Sequence, residues 1–141
     1  YANGAKGIYN ISQTSAGEEN DLHIRIYGTK AGLEWRQMEP NTLLLKKNGR
    51  PTEVIRAGTS YLGPEAQLIT RLPAGHPEAF IEAFANLYIN FFKLLEQRRT
   101  GQTTQEQFDF PTVEDGVKEM AFIEACVESD KNKQSWVRLF V

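Results

Sequence analysis

The stretch that most constrains this chain is Ala16–Gln37, which reads AGEENDLHIRIYGTKAGLEWRQ. Leu22, Ile24 and Ile26 alternate with His23, Arg25 and Tyr27. That period of two puts apolar and polar side chains on opposite faces of an extended strand. Gly28-Thr29-Lys30-Ala31-Gly32 turns the chain, and Leu33, Trp35 and Gln37 then alternate with Glu34 and Arg36. A helix would scatter these residues around its circumference. The pattern predicts a β-hairpin in a sheet with one buried face and one face open to solvent or a partner.

The sheet extends on both sides of that hairpin. Met38-Glu39-Pro40-Asn41 reads as a turn, Thr42–Lys47 as a strand, Asn48-Gly49-Arg50 as a hairpin turn and Pro51–Arg56 as the returning strand. Upstream, Gly7–Gln13 reads as a further strand, for at least five in all. Short connections favour an antiparallel meander. Asn3-Gly4 is a strong hairpin signal, yet only Tyr1 and Ala2 precede it. The expectation is a chain cut from something longer, inside a strand; the alternative is a short edge turn at a processed terminus.

Helices follow. Ala57–His76 lacks clean periodicity and carries Gly58, Gly63, Gly75, Pro64 and Pro73, which predicts a crossing segment that is either functional or bound down over the sheet. Pro77–Arg98 is the strongest helix, with Pro77 at its first position and Phe80, Phe84, Leu87, Tyr88, Phe91 and Leu95 in a stripe widened by Ile81 and Phe92. Core packing against the sheet explains that stripe better than a cofactor box. Arg98–Gln107 is a polar linker whose end is docked by Phe108-Asp109-Phe110-Pro111. Thr112 opens a second helix, with Asp115 in an imperfect capping box. Its face runs through Val113, Val117, Met120, Ala121, Glu124 and Val127, and Cys126 beside it reads as a small core residue. Trp136–Val141 is a last extended segment, placed over the sheet edge. The fold class is therefore α+β: a large, mainly antiparallel open sheet with two long helices packed on one face, in a single domain 1–141.

Composition narrows the function. A chain of 141 residues can bury a sizeable core. A net charge of −2 offers no electrostatic case for nucleic acid or an anionic membrane. No apolar run approaches the roughly 20 residues of a spanning helix. The single Cys126 cannot form an internal disulfide and is compatible with a reducing, cytoplasmic compartment. There is no glycine-rich dinucleotide fingerprint, no phosphate-cradling loop and no cysteine pair for zinc. Glu18 and Glu19 are adjacent, but neighbours in extended chain point apart, so they read as solvated loop charge. His23 lies on the polar face of a strand, a surface or interface position. His76 sits in Leu72-Pro73-Ala74-Gly75-His76-Pro77-Glu78 at a helix entrance. Its ring either caps and packs there or is a polar group presented at a pocket mouth. None of this is a catalytic constellation.

Three blocks together resemble a known family. Ala16–Trp35, Gly75–Tyr88 (GHPEAFIEAFANLY) and Phe110–Glu124 (FPTVEDGVKEMAFIE) are similar, in order and spacing, to the C-terminal domain of the Gfo/Idh/MocA oxidoreductases. That is the glucose–fructose oxidoreductase and inositol dehydrogenase family. The departures are mild: Ala31 and Ala79 where Gly is common, and His23 where Arg is common.

The resemblance implies a parent NAD(P)-dependent oxidoreductase of sugars, cyclitols or related polyols. Its NAD or NADP and its catalytic lysine, in a Glu-Lys-Pro motif, would belong to an N-terminal Rossmann domain. A second motif, an Asp and a His four residues apart, would open the C-terminal domain. Neither motif matches this sequence, so no catalytic, cofactor-binding or metal-binding residue is assigned to it, and this fragment alone is expected to be inactive. The resemblance gives this part the substrate-pocket wall and a homo-oligomer interface through the sheet face. It makes His76 and the Glu19-Asn20 turn contributors on the substrate side. Tyr9, Tyr27 and Trp35, placed on a sheet face with few local partners, point to self-association. The rival readings are a stand-alone sheet for self-association and a small-ligand-binding module with a cavity between sheet and helices.

Overall fold

The computed structural model of the chain describes residues 3–101 and 109–139. The chain divides into two compact units, Tyr1–Phe80 and Ile81–Val141.

The first unit is built on a four-stranded open sheet in the order β1 (His23–Tyr27), β2 (Ala31–Arg36), β3 (Thr42–Lys47), β4 (Glu53–Arg56), antiparallel throughout. Register decides its faces. Ile24 pairs with Trp35 and Trp35 with Leu43; Ile26 pairs with Leu33 and Leu33 with Leu45; Leu43 pairs with Ile55. Directly paired residues share a face, so these form one apolar side. The other side carries His23, Arg25, Tyr27, Glu34, Arg36, Thr42, Lys46 and Arg56, with Leu44 and Val54 among them. Gly32 is the buried residue of β2, and the Tyr27 ring lies across the strand from it, 3.3 Å from where a Cβ would stand.

Three expectations for this unit are corrected. The predicted strand Gly7–Gln13 does not form, which leaves four strands among the described residues rather than five. A strand needs a neighbour's ladder of hydrogen bonds; the bonds here include local turns, Asn3 Oδ1 accepting from Ala5 N–H and Ser12 Oγ from Thr14 N–H. Tyr1 and Ala2, before the Asn3-Gly4 turn, lie outside the described residues. The three aromatic residues do not share a face. Tyr27 is on the polar side, Trp35 is on the apolar side with its indole N–H donated to the Pro40 carbonyl at 2.9 Å, and Tyr9 is in no strand. Finally, the aperiodic run after β4 contains a short helix, α1 (Pro64–Ile69), with Gly63 as N-cap and Pro64 at the first helical position. Six residues are too few to show a stripe, so periodicity missed it.

The second unit is helical. Helix α2 runs Phe80–Thr100 and α3 runs Val113–Lys131. Helix α2 starts three residues after Pro77 because both backbone groups of Glu78 are bonded to the side chain of Asn41. Midway along it Asn90 Nδ2 donates to the Asp109 carbonyl at 3.1 Å, and Phe110 packs edge-on to Phe91 at 5.8 Å between centroids. Phe108 and the Gln102–Gln107 part of the linker lie outside the described residues. The capping box of α3 is complete despite its short acid. Asp115 N–H donates to Thr112 Oγ1 at 3.3 Å, and Thr112 N–H donates to Asp115 Oδ2 at 3.0 Å. Those bonds from Thr112 hold the Asp115 carboxyl below its ordinary value.

Burial is sparser than the composition suggested: among the described residues no apolar side chain is buried. Cys126 is exposed rather than a core residue: the half-buried positions of α3 are Asp115, Gly116, Ala121, Ala125 and Ser129, and of the expected stripe only Ala121 is among them. Trp136–Leu139 forms no strand, and Phe140 and Val141 lie outside the described residues.

Candidate functional site

The meander brings four chain positions to one end of the sheet. His23 opens β1, Arg36 closes β2, Thr42 opens β3 and Arg56 closes β4, and His23 pairs with Arg36 as Thr42 does with Arg56. The loops that leave this end are the best-built polar region of the first unit.

The loop after α1 is tied down hardest. Asn41, at the entrance to β3, donates from Nδ2 to the Glu78 carbonyl at 2.8 Å and accepts from the Glu78 N–H at 3.1 Å. Its own carbonyl accepts from Ala57 N–H at 3.0 Å, just past β4. Beside it Gly58 has φ +74°, and a Cβ there would stand 2.9 Å from Ala74 N, 3.0 Å from Leu72 O and 3.1 Å from Pro73 C. These are backbone atoms that cannot swing aside, so only glycine lets the two segments approach this closely. The Glu78 carboxylate closes the loop on itself by accepting from Arg71 N–H at 2.6 Å. Next to the clamp, Tyr61 Oη accepts from Arg56 N–H at 2.8 Å, and hydrogen bonds from Thr59 and from that backbone hold the phenol below its ordinary value.

His76 rides on this clamped loop. Its backbone N–H donates to the Pro73 carbonyl at 3.1 Å, and its Nδ1 lies 3.2 Å from the same oxygen. A carbonyl only accepts, so Nδ1 is the donor in this contact, and whenever the ring is neutral Nε2 keeps the lone pair. The ring itself is exposed. Glu19 and Asn20 lie on the turn that enters β1, where Asp21 N–H donates to the Glu19 carbonyl at 2.7 Å and Leu22 N–H to the Asn20 carbonyl at 3.2 Å. Both side chains are exposed. Topology therefore places all three sequence-predicted residues at one end of the sheet. They do not form one cluster: the turn belongs to β1 and the clamp to β3, two strand spacings or roughly 10 Å apart.

The polar sheet face carries a second constellation, which sequence reasoning did not assemble. Glu34 accepts from Lys46 Nζ and meets His23 Nε2 at 3.1 Å, a ladder across three strands. Lys46, chiefly, and His23 pull the Glu34 carboxyl below its ordinary value. Arg36 Nη2 reaches Asp21 Oδ2 at 2.6 Å, and that carboxylate raises the guanidinium pKa. Asn41 and Gly58 also went unnoticed in the sequence. The available signals were an Asn after Pro in a turn and a lone Gly in an aperiodic run.

Pyrophosphate binding uses a strand–turn–helix unit of a parallel sheet, and this sheet is antiparallel throughout. Among the described residues no three His, Cys, Asp or Glu side chains converge as metal ligands.

Comparison with known proteins decides the family. The profile described as "Oxidoreductase family, C-terminal alpha/beta domain" matches residues 1–139. The chain belongs to the Gfo/Idh/MocA oxidoreductases. It is 33% identical over 138 residues to the uncharacterized oxidoreductase YfiI of Bacillus subtilis (strain 168), a match covering 97% of this chain and 35% of that protein. Among solved structures it is similar to an oxidoreductase from Sinorhizobium meliloti, with TM-score 0.82 and 36% identity over 90% of this chain and 35% of that one. It is also similar to an inositol dehydrogenase homolog from Azotobacter vinelandii complexed with NADH and myo-inositol. That match has TM-score 0.81 and 35% identity over 87% of this chain and 33% of that one. The chain thus spans about a third of the length of these Gfo/Idh/MocA relatives.

Proposed function

We propose that this chain works as the substrate-side, C-terminal part of a longer NAD(P)-dependent oxidoreductase acting on a sugar, cyclitol or related polyol. The observation that carries the reading is the match along 87% of the chain to a homolog complexed with NADH and myo-inositol. The dinucleotide, which accepts or supplies hydride, is held by another part of the parent, a reading supported by the antiparallel pairing of this sheet. This chain supplies binding. The end of the sheet with the His76 loop and the Glu19-Asn20 turn forms a wall of the polyol pocket. There His76 Nε2 accepts from a substrate hydroxyl, and the exposed amide and carboxylate of the turn offer further hydrogen bonds. The polar sheet face, with its His23–Glu34–Lys46 ladder, joins copies of the parent into a homo-oligomer. Location in the cytoplasm completes the reading, supported by the single unpaired Cys126.

The test compares this chain with the product of the whole open reading frame. Calorimetric titration with NAD and NADP is expected to show binding by the whole product and none by residues 1–141 alone. A panel of polyols and aldoses is then expected to drive nicotinamide reduction, read at the reduced cofactor's absorbance. Tight nicotinamide binding by residues 1–141 alone would sink the reading.

A further inference from the structure

We infer that Asn41, together with Gly58, is a positioning residue for substrate: it holds the Arg71–Glu78 loop so that His76 Nε2 points its lone pair at a polyol hydroxyl. This rests on the polyol reading above.

The geometry is specific. The side-chain amide of Asn41 spends its donor and its acceptor on the same residue, Glu78, which lies 37 positions along the chain. A side-chain amide paired with both backbone groups of one residue mimics a strand pairing and fixes position and direction together. The clamp is part-buried, so water competes poorly for its bonds. Gly58 sets the floor of the same loop, because any Cβ would push back the backbone of Leu72–Ala74. Inside the loop, Pro73 holds both the amide and the ring of His76. A ring on a free loop would lose rotational and backbone freedom on binding substrate, whereas here the structure has already ordered it. The device therefore acts on substrate affinity. Hydride transfer itself takes place elsewhere in the parent, so its rate is left alone.

The experiment uses the whole product of the open reading frame. Asn41→Ala is expected to raise the polyol KM about tenfold, the scale of one lost hydrogen bond, with kcat and the nicotinamide KM unchanged. His76→Ala is expected to do the same. The double variant should be no worse than His76→Ala alone, because residues acting as one unit are not additive. Asn41→Asp keeps the acceptor for Glu78 N–H and loses the donor, so it should fall between wild type and Asn41→Ala, and it serves if the alanine variant does not fold. Lower kcat at unchanged KM, or additive losses in the double variant, would overturn the inference. Amide hydrogen exchange gives a readout independent of substrate: Asn41→Ala should speed exchange at Glu78 and His76, and unchanged exchange there defeats the clamp. If the wild-type product reduces no nicotinamide with any polyol, the polyol reading and the substrate role of His76 fall together. Hydrogen exchange then still decides whether Asn41 orders the loop.

Discussion

The two units of this molecule are held together in different ways. In Tyr1–Phe80 the defining bonds reach far along the chain: His23 to Glu34, Lys46 to Glu34, Arg36 to Asp21, Arg56 to Thr42, Asn41 to Glu78. In Ile81–Val141 most of the polar bonds span one helical turn, as in Thr112–Asp115, Thr100–Glu96, Arg99–Glu96 and Lys118–Asp115. Long-range bonds can hold a loop at a chosen place on a scaffold. Local bonds set only where a helix begins and stops. The difference explains why the candidate site collects in the sheet unit, although the strongest periodic signal in the sequence belongs to α2.

The contrast is sharpest at glycine. Gly58→Ala should cost the most, about 2–4 kcal/mol, from a left-handed backbone plus overlap with Leu72–Ala74. Gly49→Ala carries the same backbone penalty at φ +69° but meets open space, so about 1 kcal/mol is expected. Denaturant unfolding of both variants isolates the contact as their difference; equal losses would show that the Gly58 approach contributes nothing. In the helical unit the sign should reverse. Gly116 sits within α3 with nothing near its missing Cβ, so Gly116→Ala should stabilise by about 0.5–1 kcal/mol. Its local partner, Thr112→Ala, removes the N-cap and should cost about 1 kcal/mol, visible as a lower midpoint with no change in slope.

The smallest expected effect is the most diagnostic of the polar sheet face. Glu34 is held below the ordinary carboxylate value of about 4.5, so its folded pKa lies under its unfolded one. The stability it adds is present above about pH 4.5 and is lost as pH falls through the folded value. Lys46 and the His23 ring are paired with it, and Arg36 acts on it electrostatically. Unfolding curves of wild type and Glu34→Gln should therefore separate at neutral pH and converge in acid. Added salt should narrow the gap, as expected of exposed charges. A gap that persists at low pH would remove the ladder from the account.

How much of this was legible in the residues themselves follows from range. Strands β1 and β2 showed as period-two alternation, β3 and β4 as short runs set off by turn residues, α2 and α3 as helical stripes, and the α3 cap as Thr112 with Asp115, because each is a property of neighbours in sequence. The family was legible for the same reason: its three blocks are local runs in a given order. The strand expected at Gly7–Gln13 had the right local pattern and does not form. Helix α1, six residues long, was too short to show a periodic stripe. The site was half legible. His76, Glu19 and Asn20 could be named as polar residues at loop positions, but Asn41 and Gly58 are an ordinary turn asparagine and an ordinary glycine until the chain folds. Sequence determined which segments pair with themselves, since backbone geometry and side-chain alternation act over a few residues. Tertiary structure alone decided that Asn41 meets Glu78 and that Gly58 meets Leu72–Ala74, because those contacts exist only once the meander has brought distant turns to the same end of the sheet.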